Sequence, residues 1–485
     1  MKLYKILTIL FISVFAYSCA DLEIENPNEP NSSDVLASPT DLAGLPAGGF
    51  ADWHLGKSQV NPGPALACNA DVLTASWGNF GIRNFSWQPP LPIDNGLTSN
   101  DAPTIEEAWS RFNSAISVGT DVENALLNAE GAIIVEGVDV TERLRSVAYW
   151  LQGAGAAHIS MLYDQGFIVN AETDLATLNA EALVDYKALA DYAATRLEEA
   201  AAVADANEFT VPSTYINGVT LSSADFAKLA RTIAAQALVL NARTPEEVAQ
   251  TDWARVRQLT SQGIDYDLAP IGDGNLWFDD NKLIGGGSLA NGVVANTWCR
   301  VDMKLLNLID PSYPTEYPSD ASNPGQISSN DARVSSDFLY RAEVFQPIDR
   351  GVYRFSNYVH NRYAPDFSAW TGREMPALLQ AENDLMHAEA LIRTGGDKNL
   401  AATLINRTRV GRGDLTPLTG GESDAVLLNA VKYEKMIELL NTWGGRELAE
   451  ARRWAGWMRE GAFRQLPIPA SELVLLDIPI YTFGG

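Results

Sequence analysis

The chain has 485 residues and a formal net charge of −26, from 61 acidic against 35 basic side chains. Nucleic acid and anionic lipid headgroups are bound through clustered lysine and arginine, so this balance argues against both as partners. Hydrophobic residues make up 46% of the chain, ample material for a buried core.

At the start, Lys2 and Lys5 flank the beginning of an apolar run, residues 6–14, that stops before Cys19. A membrane-spanning helix needs about 20 apolar residues, so residues 1–18 read as a cleaved signal peptide. Ala16-Tyr17-Ser18 ahead of Cys19 forms a loose lipoprotein processing site, which makes Cys19 the lipidated residue. Residues 19–33 read as its tether, with Asp21, Glu23 and Glu25 followed by an Asn/Pro-rich linker. No clean linker follows, so residues 34–485 read as one composite domain.

Helical periodicity then predicts helices over 106–128, 141–165, 182–204, 225–241, 252–263, 381–393 and 400–409, with a long helix near the C-terminus. Phe226, Leu229, Ala230, Ile233, Ala237 and Leu240 share one face, with Ser222 or Ser223 as the N-cap. Val426, Ala430, Tyr433, Ile437 and Leu440 repeat the pattern. Gly395-Gly396-Asp397 ends one helix and caps the next. In order these pair as hairpins: 141–165 with 182–204, 225–241 with 252–263, and 381–393 with 400–409. Such hairpins stack into solenoids, although no strict repeat signature is present.

Two stretches interrupt the helices, residues 53–104 and 266–375. They are rich in Gly, Pro and Trp, and loops this long are usually functional or disordered. Their aromatic content argues against disorder.

The last hundred residues carry an ordered set of motifs. Asn406, Arg407, Arg409 and Arg412 come first, then Glu434, Lys435, Glu438 and Leu439, then Gly444-Gly445-Arg446, Arg453-Trp454 and Leu466-Pro467-Ile468-Pro469. This set resembles the C-terminal region of the SusD/RagB family, surface lipoproteins that help Bacteroidota-type bacteria import nutrients. It departs in having Lys435 for Arg, and Thr442-Trp443 where the family has Glu-Gly. The motif residues read as helix contacts and buried Glu–Arg pairs rather than ligand contacts. The resemblance implies a mainly α, tetratricopeptide-like scaffold of helical hairpins with long irregular insertions. It also implies an outer-membrane, cell-surface lipoprotein, without cofactor, that captures a glycan and serves as the lid of a SusC-like TonB-dependent transporter. The acidic run after Cys19 resembles the export tracts of such lipoproteins. Two alternatives stay open: a peptide ligand, as in the RagB branch, or a membrane-anchored glycoside hydrolase using a carboxylate pair.

A glycan site needs flat apolar faces for sugar C–H groups and a few fixed polar groups for hydroxyls. The first loop stretch offers Asp71, Trp77, Asn79, Arg83 and Trp87; the second offers Trp277, Trp298 and Arg300, with Tyr313, Tyr317 and Trp370 nearby. The expectation is one shallow groove built from both stretches, Trp77, Trp87, Trp277 and Trp298 stacking and Asp71, Asn79, Arg83 and Arg300 hydrogen-bonding. Trp109, Trp150, Trp253, Trp443 and Trp454 lie on predicted helices and go to the core. Cys68 and Cys299 sit one in each stretch; a disulfide would staple the two together, and free thiols are the alternative. Other chemistry finds no support: Leu55-Gly56-Lys57-Ser58 is half a phosphate loop, and His54, His158, His360 and His387 lack metal-ligand spacing.

Overall fold

The structure, a computed structural model, describes residues 36, 38–174, 177–286, 289–290, 293–294, 298–318, 324–342, 350, 356–363 and 371–485. The signal, Cys19, the tether and Trp370 lie outside them. The chain enters through α1 (Pro39–Gly44), α2 (Pro46–Ser58) and α3 (Gly63–Asn69), then a two-residue strand, β1 (Leu73–Thr74), and the single turn α4 (Ile82–Phe85). The scaffold proper follows: α5 (Ala102–Asn128), α6 (Thr141–Leu162), α7 (Tyr186–Ala206), α8 (Ser223–Leu240) and α9 (Trp253–Thr260). The second loop stretch holds α10 (Asp280–Gly285), β2 (Arg300–Val301), α11 (Met303–Ile309), β3 (Phe338–Tyr340) and β4 (Tyr358–His360). The chain closes with α12 (Gln380–Arg393), α13 (Lys398–Arg409), α14 (Asp424–Glu438) and α15 (Arg446–Ala451).

The expected hairpins form, each helix packed on the next through α5, α6, α7, α8 and α9; α12 then packs on α9, α13 and α14. Local chemistry sets the helix starts. Ser222 Oγ accepts the Asp225 N–H at 3.1 Å, Asp185 accepts from Lys187 and Ala188, and Asp397 accepts from Asn399 and Leu400. Each such cap contributes about 1 kcal/mol. Close helix approach relies on missing side chains: a Cβ on Gly153 would meet Leu197 Cγ at 2.7 Å, and one on Gly155 would meet the Phe112 carbonyl at the same distance. Trp150 fills the centre, stacked on Phe50 at 4.8 Å and edge-on to Trp53 at 4.9 Å. Trp109, Trp253 and Trp443 are also buried, while Trp454 is half-buried against the same core. Among the described residues no helix is long and apolar enough to cross a membrane.

The C-terminal motif residues form buried ion pairs, as the resemblance implied. Arg333 reaches Glu434 at 2.7 Å and Glu438 at 3.2 Å, and Arg412 also reaches Glu438, at 3.0 Å. Arg453 joins Glu389 at 2.7 Å and Glu450 at 3.0 Å. Asn406 brackets the backbone of Leu418 with both amide atoms.

Residues 53–104 are less irregular than their composition suggests. They contain the last half of α2 and all of α3 and α4. Every residue of α3 is buried, so it shows no polar face and no amphipathic period from which to read a helix.

Candidate functional site

Two backbone rungs bring the loop stretches together. β1 runs antiparallel to β2, with Leu73 opposite Val301 and Thr74 opposite Arg300. Trp77 lies three residues beyond one end of this ladder, and Trp298 two residues before Arg300. Ser86 Oγ holds the first stretch in place, accepting the Ala75 N–H at 2.9 Å and donating to the Ile82 carbonyl at 2.9 Å.

Beyond β1 the chain makes a tight turn at Asn79-Phe80-Gly81, in which Phe80 (φ +55°) and Gly81 (φ +69°) are both left-handed. A left-handed bulky residue costs about 1–2 kcal/mol, so the fold holds Phe80 outward against its own preference. Phe80 is 38% exposed, and its ring meets the half-buried Trp298 edge-on, centroids 5.9 Å apart. Trp77 is half-buried beneath the Arg350 guanidinium, 5.2 Å from its ring. Asn79 is exposed, and Arg83 on α4 lies over the half-buried Trp87 at 5.2 Å. Trp77, Asn79, Arg83, Trp87 and Trp298 therefore retain solvent-facing surface, with Phe80 added.

Sequence reasoning missed Phe80. Its signal was an aromatic residue between Asn79 and Gly81, a turn pair that leaves a large ring no helix or strand face to bury.

Three expected site residues lie in the interior instead. Asp71 is 1% exposed and ion-paired to Arg459 at 2.6 Å and Lys304 at 3.4 Å. Its charge is directed at protein cations, because Arg459 also donates to the Phe85 and Trp87 carbonyls and needs a counter-ion. Trp277 is 5% exposed, stacked on His54 with centroids 4.8 Å apart. Arg300 is 2% exposed; burial, and secondarily the charge of Arg341, pulls its guanidinium down to about 10. Trp277→Ala is accordingly expected to cost about 3–5 kcal/mol of stability, read from urea unfolding. A cost below ~1 kcal/mol would return Trp277 to the surface. Tyr313 is buried as well, and Tyr317 is half-buried against the core.

Cys68 and Cys299 are both buried free thiols, so the bridge is not formed in the structure. They are neighbours all the same: the Cys299 thiol is held above its ordinary value first by its hydrogen bond with the Cys68 thiol and then by burial.

A separate depression of about 630 Å³ opens between α8, α9 and α12, lined by Lys228, Arg231, Asn383, His387 and Arg407 among others. Its charges already neutralise one another: Arg407 pairs with Asp384 at 2.7 Å and Lys228 with Asp265 at 2.9 Å. The aromatic face carries the better ligand chemistry.

No family model matches the chain, and no curated protein matches it in sequence. Solved structures do match. A SusD superfamily protein from Parabacteroides distasonis superposes with a TM-score of 0.62 at 12% identity, over 93% of this chain and 98% of that one. A SusD-like carbohydrate-binding protein from Bacteroides fragilis gives 0.60 at 14% identity, over 87% of each chain. A laminarin-binding SusD-like protein gives 0.58 at 16% identity, over 92% and 99%.

This chain has the SusD-like fold.

At such low identities the likeness concerns architecture, to which α5 to α9 and α12 to α14 contribute helices packed one on another. The aromatic face sits on the loops that the framework carries, where rigid scaffolds commonly present binding residues.

Proposed function

We propose that this chain is a cell-surface lipoprotein that captures a glycan without cleaving it. It would hand the glycan to a SusC-like TonB-dependent transporter in the outer membrane. The observation that carries the reading is the β1–β2 ladder. It sets the exposed Phe80 ring against Trp298, beside Trp77, on loops fixed to a helical framework whose structural neighbours include carbohydrate-binding proteins. Stacking on such rings contributes on the order of 1 kcal/mol each, by analogy with aromatic pairs, and Asn79 and Arg83 stand ready for hydroxyl groups. Cys19 would carry the anchor, so Cys19→Ser should release the protein from the membrane fraction.

The test is binding of the purified protein to immobilised and soluble polysaccharides. Phe80→Ala and Trp298→Ala should each cost about 1–3 kcal/mol of affinity, as important interface aromatics do; Phe80→Ala should change the melting temperature little, and Trp298→Ala more, because that ring also packs against the core. Normal binding by both variants would remove the face from the site. Release of reducing sugars from a bound polysaccharide would replace the binder by a hydrolase.

We also propose that Cys68 and Cys299 close to a disulfide in the oxidising compartment that an exported protein meets. Two thiols lose two protons and two electrons to a disulfide-bonded oxidant, which is reduced to two thiols. The link would join the two stretches just behind the ladder and, closing so long a loop, should add about 2–4 kcal/mol. Titration in denaturant of the unreduced mature protein should find no thiols, and two after reduction. Two thiols in the unreduced protein would exclude the bridge.

A further inference from the structure

A second surface, built from other residues, runs along the outward side of α5. Glu106, Ser110, Ser114, Ser117 and Asp121 recur at spacings of three and four, which puts them on one side of the helix. Two adjoining hollows of about 460 and 480 Å³ follow that side and share Ser110 and Ser114. From Glu106 to Asp121 the trough is about 22 Å long, at 1.5 Å per helical residue, which accommodates roughly six or seven residues of extended chain. Phe167, Val169 and Leu178 form its apolar wall. Glu472 joins it from α16 (Ala470–Leu475), and the neighbouring Ser471 Oγ donates to Glu106 at 3.0 Å. Burial raises the Glu472 carboxyl, its hydrogen bond with Trp109 opposes that, and the nearby Glu106 charge adds to it.

Arg111, the one cation lining the trough among the described residues, already pairs with Asp52 at 2.7 Å. The Asp121 carboxylate makes no hydrogen bond or ion pair among the described residues, and burial alone raises it. A carboxylate partly withdrawn from water without a counter-charge is costly. One turn past Glu472, Leu475 is 80% exposed, the most exposed large hydrophobic residue described, with the exposed Val474 beside it. Adjoining exposed aliphatic residues at the rim of a groove mark contact with protein. We infer that the trough docks an extended basic segment of a partner protein. Lysine or arginine side chains meet Glu106, Glu472 and Asp121, and an apolar residue between them packs on Phe167, Val169 and Leu178. Charge complementarity selects this occupant. A second copy of the chain brings a net charge of −26 of its own, and a neutral glycan leaves three carboxylates without a counter-charge.

The experiment titrates the mature protein with labelled heptapeptide pools in which lysine or arginine flanks a leucine, valine or phenylalanine. Matching pools carry glutamine or glutamate in the flanking places. Fluorescence anisotropy should show the basic pool binding roughly tenfold or more tighter than either control, as a charge-assisted hydrogen bond gives, and less tightly as sodium chloride is raised. Asp121→Asn combined with Glu472→Gln should lose roughly tenfold or more on the basic pool. The melting temperature should not change, because glutamine keeps an acceptor for the Trp109 Nε1–H. A photo-crosslinking benzophenone side chain at position 117, irradiated in native membranes, should attach to a polypeptide segment bearing lysine or arginine. Equal binding of the three pools overturns the inference. So does basic binding that the double variant does not weaken, since the overall acidity would then account for it. A crosslink confined to glycan, to lipid or to an acidic segment also overturns it, as does no crosslink at all. The double variant should bind polysaccharide as the wild type does, and Phe80→Ala should bind the basic pool normally, so this docking and the glycan reading stand or fall separately.

Discussion

Replacing His158 by Phe should flatten the acid side of the stability profile by about 1.4 kcal/mol per pH unit between roughly pH 6 and pH 4, the worth of one excluded proton. His158 is buried, its Nδ1 2.8 Å from the Ala154 carbonyl and its ring stacked on Phe112 at 4.8 Å. Burial, and then the charge of Lys57, lowers it from 6.5 to about 3. His54 and His360 are likewise lowered to about 3, burial again being the largest cause. Below pH 6.5 the unfolded chain takes up protons that the native imidazoles refuse until about pH 3. The native state is therefore fully favoured above that range and loses stability as pH falls through it. Asp280, raised to about 6 by burial and by Asp279, acts with the opposite sign, since it takes up a proton earlier in the native state. The comparison of variant with wild type isolates His158 from that offset. Phe retains the ring packing and cannot titrate, and urea unfolding at successive pH values measures the slope. Parallel wild-type and variant profiles would mean that His158 protonates in the native state.

Arg333→Ala is expected to cost about 3–5 kcal/mol, the range for removing one partner from a buried ion pair. Arg333 has no exposed surface, and it joins Asp331 at 2.8 Å, Glu434 at 2.7 Å and Glu438 at 3.2 Å. Burial opposes its charge, and the carboxylates outweigh that opposition. Glu438 keeps Arg362 and Arg412 when Arg333 is removed, at 2.9 and 3.0 Å. Asp331 and Glu434 lose their cation. Adding Asp331→Asn and Glu434→Gln to the variant should recover at least half of the loss by removing the stranded charges. Chemical unfolding midpoints for the three proteins decide it. A loss below ~1 kcal/mol for Arg333→Ala would show that the network does not hold α14 in place.

The scaffold was legible because amphipathic helices announce themselves. The Phe226-to-Leu240 stripe, the Ser222 cap and the Gly395-Gly396-Asp397 break each state a local rule that the packing obeys. α3 was not legible, since a helix buried on every side has no period. Which candidate site residues face solvent was half legible for a related reason. Aromatic content marked the two stretches, but a tryptophan has the same letter whether it faces a sugar or the core. Trp277 is drawn inward by His54 and Trp298 is left against Phe80, and those partners are far away in sequence. Asp71 failed in the same way: its attraction to Arg459 belongs to the folded state alone. A ladder of two residues is too short to show the alternation by which strands are recognised.

That short ladder has a practical side. Leu73–Val301 and Thr74–Arg300 pair through main-chain atoms, so they ask little of the side chains displayed beyond them. Residues 75–87 and the approach to residue 298 could be exchanged for those of another such protein while the two rungs are retained as suture points. Graft libraries built between these anchors would vary what is recognised, provided that the buried Ala75, Ser76, Ile82, Phe85 and Ser86 are kept, since they pack into the core.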